Sequence, residues 1–271
     1  MLLKLKTRSR IYVAASLFLA SFSAKAELSS YNLNGVDLVY SSVSNVTWTK
    51  DGNLLGSMIA NRGFQTVVGE IIAASPTIKN IPNGYGSYSN FDDDIARSVY
   101  IVTEQDFSEV DGSSSWWGAM AFANYLNSIR YGGSHHWQLP TLATNSSASG
   151  LGSNDQVSGD EFVELFYHEL NAELYSNIPN TLMFDNEVTG VYWSGTEEID
   201  PEEPFSIYKA HAFLTSYGFQ ISTFKNYANH AWVVTPGQIS AVPEPKSLAM
   251  LLAGLVLLGI SMGWNKQSQR A

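Results

Sequence analysis

The chain has 271 residues, 45% of them hydrophobic, with 7 Trp, 14 Tyr, 13 Phe and no cysteine. A core of ordinary size therefore holds it without disulfides, and thiol chemistry is excluded. The formal charge of −10 understates the middle of the chain, where 25 acidic residues between Glu27 and Pro245 face 7 basic ones, a formal −18; such a surface excludes nucleic acid and repels anionic polysaccharide unless cations intervene.

In chain order, the first segment reads as a secretory signal peptide. Lys4, Lys6, Arg8 and Arg10 form a basic region, Ile11 to Phe22 an apolar stretch, and Ala24-Lys25-Ala26 the small-residue site, so cleavage is expected between Ala26 and Glu27. Val36 to Tyr40 and Val46 to Thr49 are β-rich runs around a polar turn, which predicts a hairpin. Ile71 to Asn90 is rich in Pro, Gly, Asn and Ser and reads as mostly loop, followed by a short strand over Val99 to Thr103.

Ser115 to Ile129 is the clearest amphipathic helix, capped near Ser113 to Ser115, with Trp116, Met120, Ala123 and Leu126 or Asn127 recurring at helical spacing and Gly132-Gly133 as its stop. Trp137 to Pro140 reads as extended and Thr144 to Gly159 as a polar loop. A second helix is expected over Asp160 to Leu174, with Phe162, Leu165, Phe166 and Leu170 inward. Strand-like runs follow at Gly190 to Ser194, Ile207 to Leu214, Phe219 to Phe224 and His230 to Thr235. Two helices followed by strands predict an α+β fold, the helices packed on a mainly antiparallel sheet. Ser247 to Trp264 is uncharged and as a helix would span about 27 Å, close to a bilayer core. Lys266 and Arg270 follow it, which places the tail inside and everything before Ser247 outside.

Val242-Pro243-Glu244-Pro245, the apolar run from Leu248 to Leu255 and the basic residues after it resemble the PEP-CTERM sorting signal of Gram-negative bacteria. That resemblance implies an exosortase-type sorting protease as a partner besides signal peptidase, with transit through the membrane by the C-terminal helix. The three parts divide the chain into a signal peptide over 1–26, an exported domain over 27–240 and a sorting signal over 241–271. Within the exported domain, Trp116-Trp117-Gly118-Ala119, Tyr125-Leu126-Asn127, Trp137-Gln138-Leu139-Pro140-Thr141, Tyr192-Trp193-Ser194-Gly195-Thr196 and Ala231-Trp232-Val233-Val234 resemble the DUF1566 (Lcl C-terminal-like) domain. Gln138 stands where Arg is usual in that family. The Leu139-Pro140-Thr141 and Tyr192-Trp193-Ser194 elements are also similar to those of C-type-lectin-like domains, which implies such a fold.

Among residues that carry chemistry, Glu161, Glu164 and His168 fall at i, i+3 and i+7 on one helical face, a spacing that can present ligands to a metal; the competing reading is a solvated polar face. Asp92-Asp93-Asp94 and the loop holding Asp155, Asp160 and Glu161 offer oxygen ligands, which makes calcium the cofactor to test, although neither matches a known calcium-loop spacing. His135 and His136 are expected on opposite faces of a strand, and His211 and His230 lie in strands of unknown pairing. Asn45 and Asn145 open N-glycosylation sequons. No nucleophile elbow and no H-E-x-x-H occur. Trp116, Trp117, Trp137, Trp193 and Trp232 are either core residues or platforms for sugar rings. The reading is an exported envelope or matrix protein that binds carbohydrate; the alternatives are a secreted metal-dependent hydrolase and a purely structural matrix protein.

Overall fold

The computed structural model describes residues 28–79, 99–142, 160–198, 203 and 205–240. Signal peptide, Asp92 to Asp94, Asn145, Asp155 and the Val242 to Arg270 sorting region lie outside them. Among the described residues no helix is long and apolar enough to cross a membrane.

Mixed helix and antiparallel sheet, an α+β composition, is what the chain forms. Strands β1 (Leu28–Leu33), β2 (Val36–Ser41) and β3 (Val46–Thr49) form a meander, with the expected hairpin pairing Leu38 to Thr49 and Ser41 to Val46. The expectation of loop from Ile71 is corrected at its start. Helix α1 (Leu54–Arg62) precedes it and is joined at Gly63 to helix α2 (Phe64–Ala74), whose last turn, with strand β4 (Thr77–Lys79), takes the place of loop. Val67, Val68 and Ile71 of α2 are buried against α1 and the later helix, so packing overrides the low helix propensity of β-branched residues. Strand β5 (Val99–Ile101) pairs with β4.

Helix α3 (Trp116–Ser128) starts where Ser115 predicts, the Ser115 hydroxyl accepting from the Gly118 N–H. Its burial extends well beyond one stripe, because Trp116 to Ala119, Ala121 to Ala123, Tyr125 and Leu126 are all buried. Its end is not made by the glycine pair: Arg130 takes the left-handed conformation, and Gly132-Gly133 falls in the 3₁₀ turn that follows.

The second expected helix is shorter and different in kind. One α-turn, α4 (Glu161–Val163), runs directly into a π-helix, Glu164–Glu169, closed by Leu170 N–H donating to the Leu165 carbonyl at 2.9 Å. The inward set Phe162, Leu165, Phe166 and Leu170 is buried as expected. Strands β6 (Val191–Glu197), β7 (Lys209–Leu214) and β8 (Phe219–Phe224) form a three-stranded sheet, and β9 (Val234–Pro236) joins β3 instead. The expected single sheet is therefore three separate ones, with orders β1-β2-β3-β9, β4-β5 and β6-β7-β8. His230 to Val233 makes bridges and backbone bonds but no regular strand.

Strand alternation sorts the core into two clusters. Leu38, Trp193, Ala231 and Val233 point into one with α1, α2 and α3, while Val39, Tyr192, Trp232 and Val234 point into the other with Phe162 and Phe166. The strand segments are thus buried on both faces, which uses up the aromatic content. Trp48, Phe162, Tyr192 and Trp232 touch one another at ring-centroid distances of 5.2 to 6.4 Å.

Candidate functional site

The tryptophans of the sequence motifs are not a surface. Trp116, Trp117, Trp137, Trp193 and Trp232 are all buried, which removes them as sugar platforms. Two of them lock the halves of the fold reciprocally. The Trp116 Nε1 donates to the Ser194 carbonyl at 2.8 Å, and the Trp193 Nε1 donates to the Ser114 carbonyl at 2.9 Å. Trp137 Nε1 reaches the Tyr131 carbonyl and Trp232 Nε1 the Thr49 carbonyl, each at 2.9 Å. Asn127 clamps the Trp137 backbone from both sides, donating to its carbonyl and accepting from its N–H. Gly118 is required for close approach, since a Cβ there would sit 2.8 Å from the Asp106 carbonyl oxygen. The Leu139-Pro140-Thr141 element joins β6 through the Gly195 N–H on the Pro140 carbonyl at 2.8 Å. Ser194 Oγ ties β6 to β7 by donating to the His211 carbonyl.

The metal-spaced trio divides between different tasks. Glu161 is buried, and one of its oxygens accepts from both the Thr141 N–H (2.7 Å) and the Thr141 hydroxyl (2.6 Å). Asp160 caps the Val163 N–H and accepts from Gln220. Glu164 and His168 face each other at 4.0 Å. The counted face therefore keeps only its Glu164–His168 pair, because the Glu161 carboxylate is taken up by Thr141. Among the described residues no group of three His, Asp or Glu side chains is placed to hold a metal ion. Glu161→Ala is expected to lower stability by about 2 kcal/mol through loss of two charge-assisted bonds, equally with and without EDTA in a thermal melt. A wild-type melting temperature that drops on chelation would restore the metal reading.

The histidines also depart from expectation. His135 and His136 are exposed, outside any strand, with ring centroids only 4.0 Å apart. His211 and His230 do not share a partner: burial lowers the pKa of each, opposed by Glu198 for His211 and by Asp111 for His230. Asn45 accepts from the Tyr40 hydroxyl at 2.9 Å, and Thr47 of its sequon is buried in β3.

Side chains that can meet a ligand converge elsewhere, where three segments cross beside the end of β3. Asp51 receives the Asn53 N–H (2.8 Å) and the Asn186 amide (3.0 Å), and Asn53 donates to the Asp111 carbonyl at 2.9 Å. Gly52 N–H and the Lys50 carbonyl pair with the backbone of Asp185, and Lys50 Nζ lies 3.0 Å from the Asp185 carboxylate, which raises the lysine pKa. Lys50, Asn180, Thr181, Asp185, Asn186 and Glu187, with Leu182 and Phe184, line an open groove of about 490 Å³.

Beside it, Ser114 and Asn229 form an antiparallel bridge, and His230 bridges to Tyr192. Ser114 Oγ, Asn229 Nδ2, His230 Nδ1 and Glu187 Oε1 are buried without a hydrogen-bond partner, and such atoms call for water or a polar ligand. Burial works against ionisation of Asp111, but hydrogen bonds from Ser108 and Ser113, with His230 nearby, bring its pKa down to about 2. This region is a hydrogen-bonding surface of mixed donors and acceptors. Ser114 is buried and offers no accessible nucleophile.

None of the groove residues was singled out by sequence. Apart from Lys50, which follows β3, they sit on the irregular stretch between the π-helix and β6, where neither a helical nor a strand period marks them; the one signal there is a long segment without periodicity.

No family model, no curated protein and no solved structure matches the chain.

Proposed function

We propose that the protein is an exported envelope or matrix component that binds neutral carbohydrate in the groove lined by Lys50 and residues 180–187. The observation that carries the binding reading is the chemistry of that groove. Amides of Asn180 and Asn186, carboxylates of Asp185 and Glu187, the Thr181 hydroxyl and the Lys50 ammonium offer donors and acceptors side by side, as a polyol requires. An excess of carboxylates in the domain disfavours an acidic glycan.

Export and sorting rest on the two chain ends. The basic, apolar and Ala-x-Ala order at the start and Val242 to Pro245 before an apolar run support signal peptidase and an exosortase-type protease as processing partners. The interlocked Trp116, Trp193 and Leu139 to Thr141 elements support the DUF1566-like reading, and the paired antiparallel sheets support a C-type-lectin-like arrangement.

A glycan array probed with the mature protein recovered from the envelope is expected to show neutral glycans bound and sulfated or uronic glycans not bound. Asn180→Ala is expected to weaken that binding about tenfold. Binding confined to acidic glycans, or unaltered in Asn180→Ala, would sink the groove assignment.

A further inference from the structure

Six non-glycine residues among those described have positive φ: four are asparagines, which tolerate the left-handed region, and one is Arg130 after α3. The sixth is Tyr175 at φ 64°, a bulky ring where glycine or asparagine would remove the strain. Its backbone is held from both sides. The Tyr175 N–H donates to the Tyr217 carbonyl at 2.8 Å, and the Ser176 N–H and hydroxyl close the turn on the Glu173 carbonyl at 3.0 and 2.6 Å. Burial does not offset the strain, because Tyr175 is 58% exposed and Tyr217, beside it, 48%. The Tyr175 and Tyr217 rings meet edge to face at 6.5 Å and 83°, and Phe219 of β8 continues the row at 5.8 Å from Tyr217. Strain kept on an exposed side chain is found where that side chain has a task.

We propose that the exposed ring of Tyr175, propped by Tyr217 and Phe219, is a stacking platform for a pyranose ring, a second subsite for the neutral glycan bound in the groove; this rests on the carbohydrate reading above. The size of the patch selects the occupant. Half-exposed tyrosines leave roughly 100 Å² open each, far short of the ~800 Å² per side that a stable protein partner covers. That area suits one sugar ring, whose C–H face meets an aromatic face. Tyr175 is also tied to the groove by the chain. Ile178 N–H is bonded to the Thr215 carbonyl at 2.7 Å, and five residues from Tyr175 to Asn180 reach at most about 17 Å. A chain of a few sugar units therefore contacts both subsites, and a monosaccharide contacts one.

The test uses the mature protein and neutral gluco-oligosaccharides of one to six units, read by calorimetry. Wild type is expected to bind the hexamer at least about tenfold more tightly than the monomer. Tyr175→Gly is expected to erase that length dependence, with monomer affinity unchanged and no fall in melting temperature, because glycine accepts the left-handed backbone. Asn180→Ala is expected to weaken every length. A hexamer advantage that persists in Tyr175→Gly and in Tyr217→Ala overturns the platform and leaves the groove standing. Wild type that binds none of these sugars overturns both.

Discussion

Glu169→Gln is expected to stabilise the protein at pH 8 by about 1–2 kcal/mol and by only a small part of that at pH 5. Both oxygens of Glu169 are buried at the end of the π-helix with no donor in hydrogen-bonding geometry, and the Ser41 hydroxyl beside them is engaged with Ser44 at 2.8 Å. Burial pushes its pKa from 4.5 up to about 7; Ser41 holds the rise down and Glu164 adds to it. The folded state then binds a proton that the unfolded chain releases between pH 4.5 and 7. Stability of the wild type falls as pH rises through that window and the penalty is complete above it. The full shift corresponds to at most ~3.4 kcal/mol, and a carboxyl not wholly removed from solvent realises less. Urea unfolding of both proteins at pH 5 and pH 8 checks it; an equal difference at the two pH values would show that the carboxyl is not the source.

Glu197→Gln is expected to cost about 3–5 kcal/mol, because it takes the neutralising carboxylate away from a buried ammonium. Lys225 is fully buried, with its Nζ bonded to Glu197 and to the Ile207 carbonyl (3.0 Å) and 4.9 Å above the Trp116 ring. Burial lowers its pKa while Glu197 raises it. Adding Lys225→Met to Glu197→Gln is expected to recover most of the loss, since the methionine stem keeps its contact with Trp116 and no charge remains to be desolvated. A double-mutant cycle in thermal unfolding reads this directly. Additive losses in the double variant would mean that the two side chains act independently.

The parts of the fold legible in the sequence are those where local pattern and packing agree. The β2–β3 hairpin has its apolar runs in register, β8 spans Phe219–Phe224 as read, and α3 begins behind Ser115. Helices α1 and α2 were hidden because Gly56, Val67 and Val68 weaken the helical signal, and only the contact of α2 with α1 and α3 makes them helical. Helical periodicity predicts an α-helix where the π-helix stands, because Phe162, Leu165, Phe166 and Leu170 are inward in both. The motif tryptophans were legible as important but not as interior. The Nε1 atoms of Trp116, Trp193 and Trp232 find carbonyls on segments up to 183 residues away, a relation no local window contains. The groove was not legible at all, because Lys50 meets residues 180–187 only after the sheets have formed.

The pairing of β9 with β3 has a bearing on the order of events as the chain is made. Thr47 Oγ1 donates to the carbonyl of Gly237 at 2.8 Å across 190 residues, and Trp232 closes the core by bonding back to Thr49. The β1-β2-β3 meander therefore waits, with one edge open, until nearly the whole described chain has left the ribosome. Closure of the sheet is therefore a late step, made only when the last strand of the described chain arrives.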